Sequence, residues 1–368
     1  MKIVALMSDP YGGSGGIAQF NRDLLDALSN APGIQRILSL PRHRSEPVNL
    51  YPKGLTELRV NDNPIMYTLQ ALTATFRVKP SLIVCGHLYL LPAAVFIKAL
   101  FGIPIWLVIY GVEAWNPRKF RHQGFVANID FVTSISRHTR SKFLSWAVTD
   151  PGRVKVLPCT FDPQRFRMRE KPAYLLDRYG LRNTRILFTL GRIVKSEREK
   201  GHDRVIDVLP GIVKSAPDVI YLIGGDGDDR ERLQEKCEHL GLSNNIRFTG
   251  QIPFNELVDH YNLADAFVMP STQEGFGIVF LEAQSCGLPI LYGMKDGSRD
   301  AITGDDAIPI DPNDAAALSQ GLKNVLELGK NVSVASGRFG MQNFQTHVER
   351  IVRQIQFDQV LSHTDQSS

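Results

Sequence analysis

Short runs of aliphatic and β-branched residues recur along the chain, separated by stretches in which apolar positions return every three or four residues. The first pattern is that of a buried strand and the second that of a helix with one apolar face. Their alternation predicts parallel sheets covered by helices on both sides. In the first half the predicted strands are Lys2 to Met7, Arg36 to Leu40, Leu82 to Val84, Ile105 to Ile109 and Phe131 to Ser134. After Thr184 the pattern restarts, with strands at Ile186 to Leu190, Val219 to Ile223, Ile246 to Thr249, Ala266 to Met269 and Pro289 to Leu291. The fold class is therefore α/β, with two consecutive doubly wound, Rossmann-like domains over 1–165 and 166–342 and a boundary in the irregular segment Pro158 to Lys171. Residues 343–361, with apolar Val348, Ile351, Val352 and Ile355, predict an amphipathic helix that crosses back to the first domain. The tail from Ser362 is polar and predicted to fray. Open sheets of this kind bind ligands beyond the carboxyl ends of their strands, so the two domains are expected to face each other across a cleft that holds the ligands.

At 368 residues, 43% hydrophobic and 22% charged, the chain is long enough for two cores. Its net charge of +4 is unevenly spread: residues 1–160 carry 18 Lys and Arg against 9 Asp and Glu, and the remainder 24 against 29. A basic first half suits an anionic acceptor or membrane surface, and a merely solvated basic face accounts for it equally. The most apolar stretch, Ser81 to Tyr110, is cut by Gly86, His87, Pro92, Lys98, Gly102 and Pro104 into pieces too short for ~30 Å of hydrocarbon. It reads as strand, helix, strand. The charge-free segment Pro64 to Phe76 predicts a helix that either presents Ile65, Met66, Leu69 and Leu72 to a membrane surface or packs them into the core. Cys85, Cys159, Cys237 and Cys286 are too far apart for zinc or redox pairs and fit a reducing cytoplasm. The opening Met1 to Leu6 reads as a strand, not as a secretory leader.

Four constellations carry chemistry. Gly12-Gly13-Ser14-Gly15-Gly16 follows the first strand and opens a helix, where free N–H groups favour an anion such as a diphosphate. The run also satisfies a loose dinucleotide pattern. The acid expected at the end of the second strand is replaced by Ser39-Leu40-Pro41-Arg42, which weakens an NAD reading and leaves, through Arg42 and Arg44, an NADP-dependent oxidoreductase. Glu274 and Glu282 bracket a helix start at Gly275-Phe276-Gly277, an arrangement suited to hydroxyls at each carboxylate and a diphosphate against the amides between. Arg192 and Lys200, after the first strand of the second half, are placed to neutralise a departing diphosphate, with solvated basic side chains as the plain alternative. Asp226-Gly227-Asp228 reads as a Mg²⁺ or Mn²⁺ pair or, preferably, as a strand-to-helix turn in which Asp228 and Asp229 cap the helix Arg230 to His239.

Taken together these segments resemble the family four glycosyltransferases, retaining enzymes of the GT-B fold, over nearly the whole chain. The resemblance is most specific in Gly191-Arg192, Lys200-Gly201, Gly225-Asp226-Gly227, Phe248-Thr249-Gly250, Ala264-Asp265, Pro270-Ser271, Glu274 to Glu282 and Cys286-Gly287-Leu288-Pro289. It implies that Glu282 binds the donor ribose, Arg192 and Lys200 the diphosphate, and Glu274, with the backbone of Phe276 and Gly277, the transferred sugar. Ile278 and Val279 would meet the phosphates through their amides, and Gly15 and Gly16 the pyrophosphate from the other domain. Tyr110-Gly111-Val112-Glu113 is similar to the family's His-Gly-x-Glu/Asp segment, with Tyr110 where His is usual. Glu113 is then a candidate for a sugar or acceptor hydroxyl, and His87 for the missing ring.

The implied function is a metal-independent hexosyl transfer, without a cofactor, from a nucleotide diphosphate sugar to a saccharide or lipid-linked acceptor of bacterial polysaccharide biosynthesis. A UDP-sugar such as UDP-glucose is the favoured donor and GDP-mannose the alternative. A non-catalytic sugar-nucleotide-binding protein is the rival of another class. The expected place is the cytoplasm, at the inner face of the plasma membrane, with no nucleic acid partner.

Overall fold

A computed structural model describes residues 1–13, 15–45, 51–116, 123–304, 306–331 and 337–365. Ser14 of the glycine run and the tail beyond 365 lie outside the described residues. The backbone separates into two units, Met1–Thr160 together with the C-terminal helix Met341–Asp365, and Phe161–Gly340.

The first unit is a parallel sheet of β1 (Lys2–Met7), β2 (Arg36–Pro41), β3 (Leu55–Glu57), β4 (Leu82–Cys85), β5 (Ile105–Ile109), β6 (Phe131–Ser134) and β7 (Val154–Val156). Their order is β3-β2-β1-β4-β5-β6-β7. The second holds β8 (Arg185–Leu190), β9 (Val219–Gly224), β10 (Ile246–Gly250), β11 (Ala266–Met269), β12 (Ile290–Gly293) and β13 (Ala307–Ile310), in the order β10-β9-β8-β11-β12-β13. Both are doubly wound, and the direction of winding reverses between β1 and β4 and between β8 and β11, where such sheets open a crevice at their carboxyl edge. The central strands are buried on both faces, as Val4, Leu6, Ile83 and Leu107 are in one core and Leu187, Tyr221, Ile223 and Val268 in the other. All ten predicted strands are present within two residues at each end; β3, β7 and β13 are additional. These three are short edge strands, and Pro309 in β13 sits where a missing N–H costs least.

Helix Pro64–Val78 resolves the choice left open by its composition. Asn63 caps it by accepting from the amides of Ile65 and Met66, and it turns Tyr67, Ala71, Ala74 and Thr75 inward. Ile65, Met66, Leu69 and Phe76 stay 72%, 53%, 51% and 69% exposed, so the core alternative is wrong for these side chains; Leu72 is half-buried against the core. Helix Leu91–Phe101, packed beside it, adds exposed Phe96 and Leu100. No helix of the described residues is long and apolar enough to cross a membrane, and all four cysteines are buried thiols outside any disulfide.

The C-terminal helix packs on helix Gly16–Asn30. Phe344 meets Phe20 edge to face at 5.6 Å, and the Gln345 amide donates to the Ala27 carbonyl at 3.1 Å. Phe344→Ala should therefore cost about 3–5 kcal/mol in denaturant unfolding, since the ring is only 3% exposed. Unchanged stability would mean that the helix does not dock there.

Candidate functional site

In the second unit the chemistry gathers at the reversal between β8 and β11. β8 ends at Leu190 and delivers Gly191-Arg192; β11 ends at Met269 and delivers the loop that carries Glu274. The Lys200 ammonium donates to Glu274 Oε2 at 3.3 Å and lies 3.9 Å from Glu197 Oε2. Glu274, above all, with Glu197, raises the Lys200 pKa, so the ammonium stays charged. Glu197 also receives the guanidinium of Arg192, whose side chain is 74% exposed. So exposed a pair contributes little to stability, and the guanidinium is held near the site at small cost to release.

Glu274 is fixed through its backbone. Its amide donates to Asp296 Oδ2 at 2.8 Å, and its carbonyl accepts from the Gly297 amide at 2.8 Å. Asp296 is buried and also accepts from Ser271 Oγ at 2.7 Å and from the Ser298 amide at 3.0 Å. Burial raises its pKa, and these donors oppose the shift. Gly277 then begins helix Ile278–Ser285 at φ +85°, with no side chain capping the helix. Its left-handed conformation and the Phe280 ring packed over it exclude a side chain there. Phe276 is buried against Phe339, ring centroids 5.6 Å apart, so it offers its backbone rather than its ring. The uncapped start places Ile278 and Val279 where amides attract an anion.

One turn into this helix, Glu282 accepts a hydrogen bond of 2.6 Å from the hydroxyl of Tyr261. Burial pushes its pKa up to about 7, opposed by the Tyr261 bond and the charge of Arg165. Lys200 and Glu274 are thus in contact, Arg192 joins them through Glu197, and Glu282 lies along the helix from Gly277. Glu197, Asp296, Tyr261 and Arg165 were not read from the sequence. Asp296-Gly297-Ser298 carried a signal, a polar turn directly after a strand.

The Asp226 to Asp229 turn corrects an expectation. Asp229 stands at the N-cap of helix Arg230–His239 but makes no side-chain cap bond. Its carboxylate is taken by Arg198, at 2.7 and 3.0 Å, and by Arg232, at 2.6 and 2.9 Å. Asp228 Oδ1 accepts from the Lys195 amide at 2.9 Å, and Asp226 turns to the Gly227 amide and Arg230. At Asp229 charged partners outcompete the helix amides, and Asp228 is turned instead to the amide of another loop. Among the described residues no group of three or more His, Cys, Asp or Glu converges to hold a metal.

In the first unit the glycine turn is braced from both ends. Asp9 accepts from the Gly12 amide at 3.0 Å, and Arg22 donates to the carbonyls of Pro10 and Gly13, each at 2.9 Å. Gly15, at φ +91°, leads into helix Gly16–Asn30, which has no side-chain cap, and both glycines are exposed. Beside the winding reversal, after the adjacent strands β4 and β5, His87 and Tyr110 come together, ring centroids 5.8 Å apart. Burial lowers the His87 pKa to about 4, and its Nδ1 accepts from the Tyr89 amide at 3.4 Å, which puts the proton of the neutral ring on Nε2. The Tyr110 phenol is buried and donates to Asn21 Oδ1 at 2.6 Å. Glu113 Oε1 accepts from the amides of Tyr110 and Gly111, at 2.6 and 3.1 Å, and so shapes this turn. Arg42 and Arg44, which a 2′-phosphate would need, are occupied by the Asn61 carbonyl and by Glu57.

Residues 179–336 match the family of glycosyl transferases group 1. The chain is 32% identical over 228 residues to a GDP-mannose-dependent alpha-(1-6)-phosphatidylinositol monomannoside mannosyltransferase of Mycolicibacterium smegmatis, covering 59% of each chain. It is 29% identical over 213 residues to a GDP-mannose-dependent monoacylated alpha-(1-6)-phosphatidylinositol monomannoside mannosyltransferase of Corynebacterium glutamicum, covering 54% of this chain and 53% of that one. The chain thus spans little more than half the length of these relatives. The crystal structure of Anabaena Alr3699/HepE in complex with UDP-glucose superposes with a TM-score of 0.77 at 18% identity, over 96% of this chain and all of that one. The fold is the GT-B glycosyltransferase fold.

The raised Glu282 pKa has a thermal signature. A glutamic acid lifted from 4.5 to about 7 takes up a proton on folding, so its contribution to stability is complete below about 4.5 and is lost as pH rises through about 7. Between pH 5 and pH 8 the parent should lose on the order of 1–2 kcal/mol relative to Glu282→Gln, a figure discounted for solvent at a half-buried carboxylate. Parallel melting curves for the two proteins across that range would contradict the burial assigned to Glu282.

Proposed function

We propose that this chain, whose residues 179–336 match the group 1 glycosyl transferases, is a member of that family and moves mannose from GDP-mannose to a lipid-carried saccharide, with retention at the anomeric carbon and without a metal ion or cofactor. The observation that carries the reading is the pairing of Lys200 with Glu274, 3.3 Å apart, at a winding reversal beside an uncapped helix start. A diphosphate needs cations and amides, and a sugar needs a fixed carboxylate; both needs are met in this one place.

In this reading Glu282 takes the ribose hydroxyls, Arg192, Lys200 and the amides of Ile278 and Val279 take the diphosphate, and Glu274 holds the mannose beside the backbone of Phe276 and Gly277. The bond between the anomeric carbon and the phosphate oxygen breaks, leaving positive charge on the ring and the electron pair on GDP. The acceptor oxygen bonds to the same face of that carbon, and its proton passes to the departing phosphate. Two side-chain cations and the helix amides stand in for a divalent ion. Within the first unit itself, Gly15 and Gly16 offer exposed backbone to an anionic group, and His87 and Glu113, with Tyr110 packed beside them, are the polar groups that this unit offers a ligand.

Of the two donors raised by the sequence, GDP-mannose has the stronger support, since the mycobacterial and corynebacterial relatives are both GDP-mannose-dependent. Thermal denaturation with GDP, UDP and ADP is the direct measurement: GDP at a hundred times its Kd should stabilise by about 2.7 kcal/mol, and transfer or slow hydrolysis should be seen with GDP-mannose. Stabilisation by UDP alone, with turnover of UDP-glucose, would return the donor to the other reading.

The lipid-carried acceptor is supported by the exposed Ile65, Met66, Leu69 and Phe76, with Phe96 and Leu100, in a unit whose sequence is strongly basic. Such a surface is drawn to an anionic leaflet at about 1 kcal/mol per nearby Lys or Arg, and salt screens it within ~10 Å at 0.1 M. The protein should sediment with anionic vesicles at low salt and be largely released at high salt. A protein that stays in the supernatant with anionic vesicles at low salt has a soluble acceptor.

A further inference from the structure

Beyond the residues given a role above, the far end of the second unit's carboxyl edge, at the outer strand β10, carries chemistry of its own. β10 ends at Gly250, and the loop after it carries Phe254, a large ring left 71% exposed. Over that ring lies the guanidinium of Arg165, its carbon 3.3 Å from the ring centroid, with Nη2 donating to the Phe254 carbonyl. Among the described residues no carboxylate lies within ion-pair distance of this guanidinium, so most of its N–H fork is uncommitted. A cation flattened on an exposed ring, with free donors along its edge, has the form of a reader for a planar ligand.

What connects this pair to the described site is a run of rings. Arg165 lies 5.2 Å from the Phe166 ring, Phe166 packs on Tyr261 at 5.9 Å, and the Tyr261 hydroxyl holds Glu282. Phe166 is 4% and Tyr261 0% exposed, so these links are part of the core and do not drift. The charges of Arg165 and Glu282 act on one another across this short span. A ligand whose ribose is held at Glu282 therefore has its base within reach of the Arg165 fork.

We infer that Arg165, with its plane set by Phe254, is the specificity-determining residue for the donor base and reads the O6 and N7 edge of guanine. This rests on the proposed nucleotide-sugar function and deepens it. Two acceptors side by side on one edge match the two parallel N–H groups of a guanidinium, the pairing that most often identifies guanine elsewhere. Uracil presents no such adjacent pair, and adenine replaces the O6 acceptor with an amine donor. Phe254 holds the fork flat and floors the space beside it for the base.

The experiment is calorimetry of the full chain with GDP, IDP, ADP and UDP. The parent should bind GDP at least ~10-fold more tightly than UDP, with IDP within a few-fold of GDP because hypoxanthine keeps O6 and N7. Arg165→Ala should weaken GDP and IDP by ~10- to 100-fold and UDP by less than about 3-fold. Arg165→Lys should fail to restore GDP, since an ammonium has no planar fork. Phe254→Ala should weaken every nucleotide by about 10-fold. Retained UDP binding in the two Arg165 variants, and an unchanged melting temperature in all three, show that each variant is folded. Equal loss of GDP and UDP in Arg165→Ala, or IDP binding no better than ADP, overturns the assignment and leaves the donor reading intact. A parent that prefers UDP overturns both.

Discussion

The second unit depends on backbone meeting backbone at the carboxyl edge of its sheet. A Cβ on Gly225 would overlap the Gly191 carbonyl, one on Gly201 the Pro270 carbonyl, and one on Gly297 the Gly275 carbonyl. The loops after β8, β9, β11 and β12 therefore touch with no side chain between them. Interiors packed this closely have two choices, the fitted arrangement or a displaced one, and little between. The consequence is positional: Glu274 is fixed by hydrogen bonds on both its amide and its carbonyl before any ligand arrives. Such preorganisation is what makes charge placement useful in catalysis, because no reorganisation is needed when the charge develops.

That edge also explains which residues the sequence made legible. Strands buried on both faces write themselves as unbroken aliphatic runs, and the turns after β1, β8 and β11 are rich in glycine and charge, so the sheets and the Glu274 to Glu282 segment were readable. Asp296 was not, because its role is long-range. It is close in space to Glu274 only because β12 lies beside β11, and nothing in a buried Asp-Gly-Ser turn says which neighbour it will hold. Tyr261 and Arg165 were hidden for the same reason, the one on a helix that reads as ordinary core and the other in an irregular segment. β3, β7 and β13 escaped because edge strands of three or four residues carry too few side chains to show a period. The cap assigned to Asp228 and Asp229 failed through competition: local rules favour the helix amides, and at Asp229 two guanidinium groups, Arg198 from the segment after β8 and Arg232 from the helix itself, outbid them.

The first unit solves a different problem with similar means. Its polar groups at the winding reversal are mostly spent on one another, Tyr110 on Asn21, Glu113 on two amides, Arg22 on the glycine turn. A phenol at position 110 fills space and bonds inward, where an imidazole would be shorter. The neutral His87 ring stacked beside it keeps one N–H to give. A site built this way shapes a surface more than it supplies charge.

If the proposed transfer takes place at this site, the charge balance at Lys200 bears on how it would be driven. Arg192 and Lys200 are already paired with Glu197 and Glu274, so an arriving diphosphate must share them rather than meet bare cations. In the ground state the donor's phosphate charge is spread over both phosphates and competes modestly. As the glycosidic bond breaks, one further negative charge accumulates on the departing phosphate oxygen, and the attraction for Lys200 and Arg192 rises with it. The cations can then shift their bonding from carboxylate to phosphate at the moment when the gain is largest. Interactions that strengthen only in the transition state raise the turnover rate, whereas those made equally with the ground state do not. Glu274, partly released from Lys200 by the same shift, would then be free to put its negative charge toward the sugar ring as the ring becomes positive. On the proposed function, the resting ion pair of Lys200 and Glu274 would act as a reservoir of matched charges that separates along the reaction in the direction the chemistry requires.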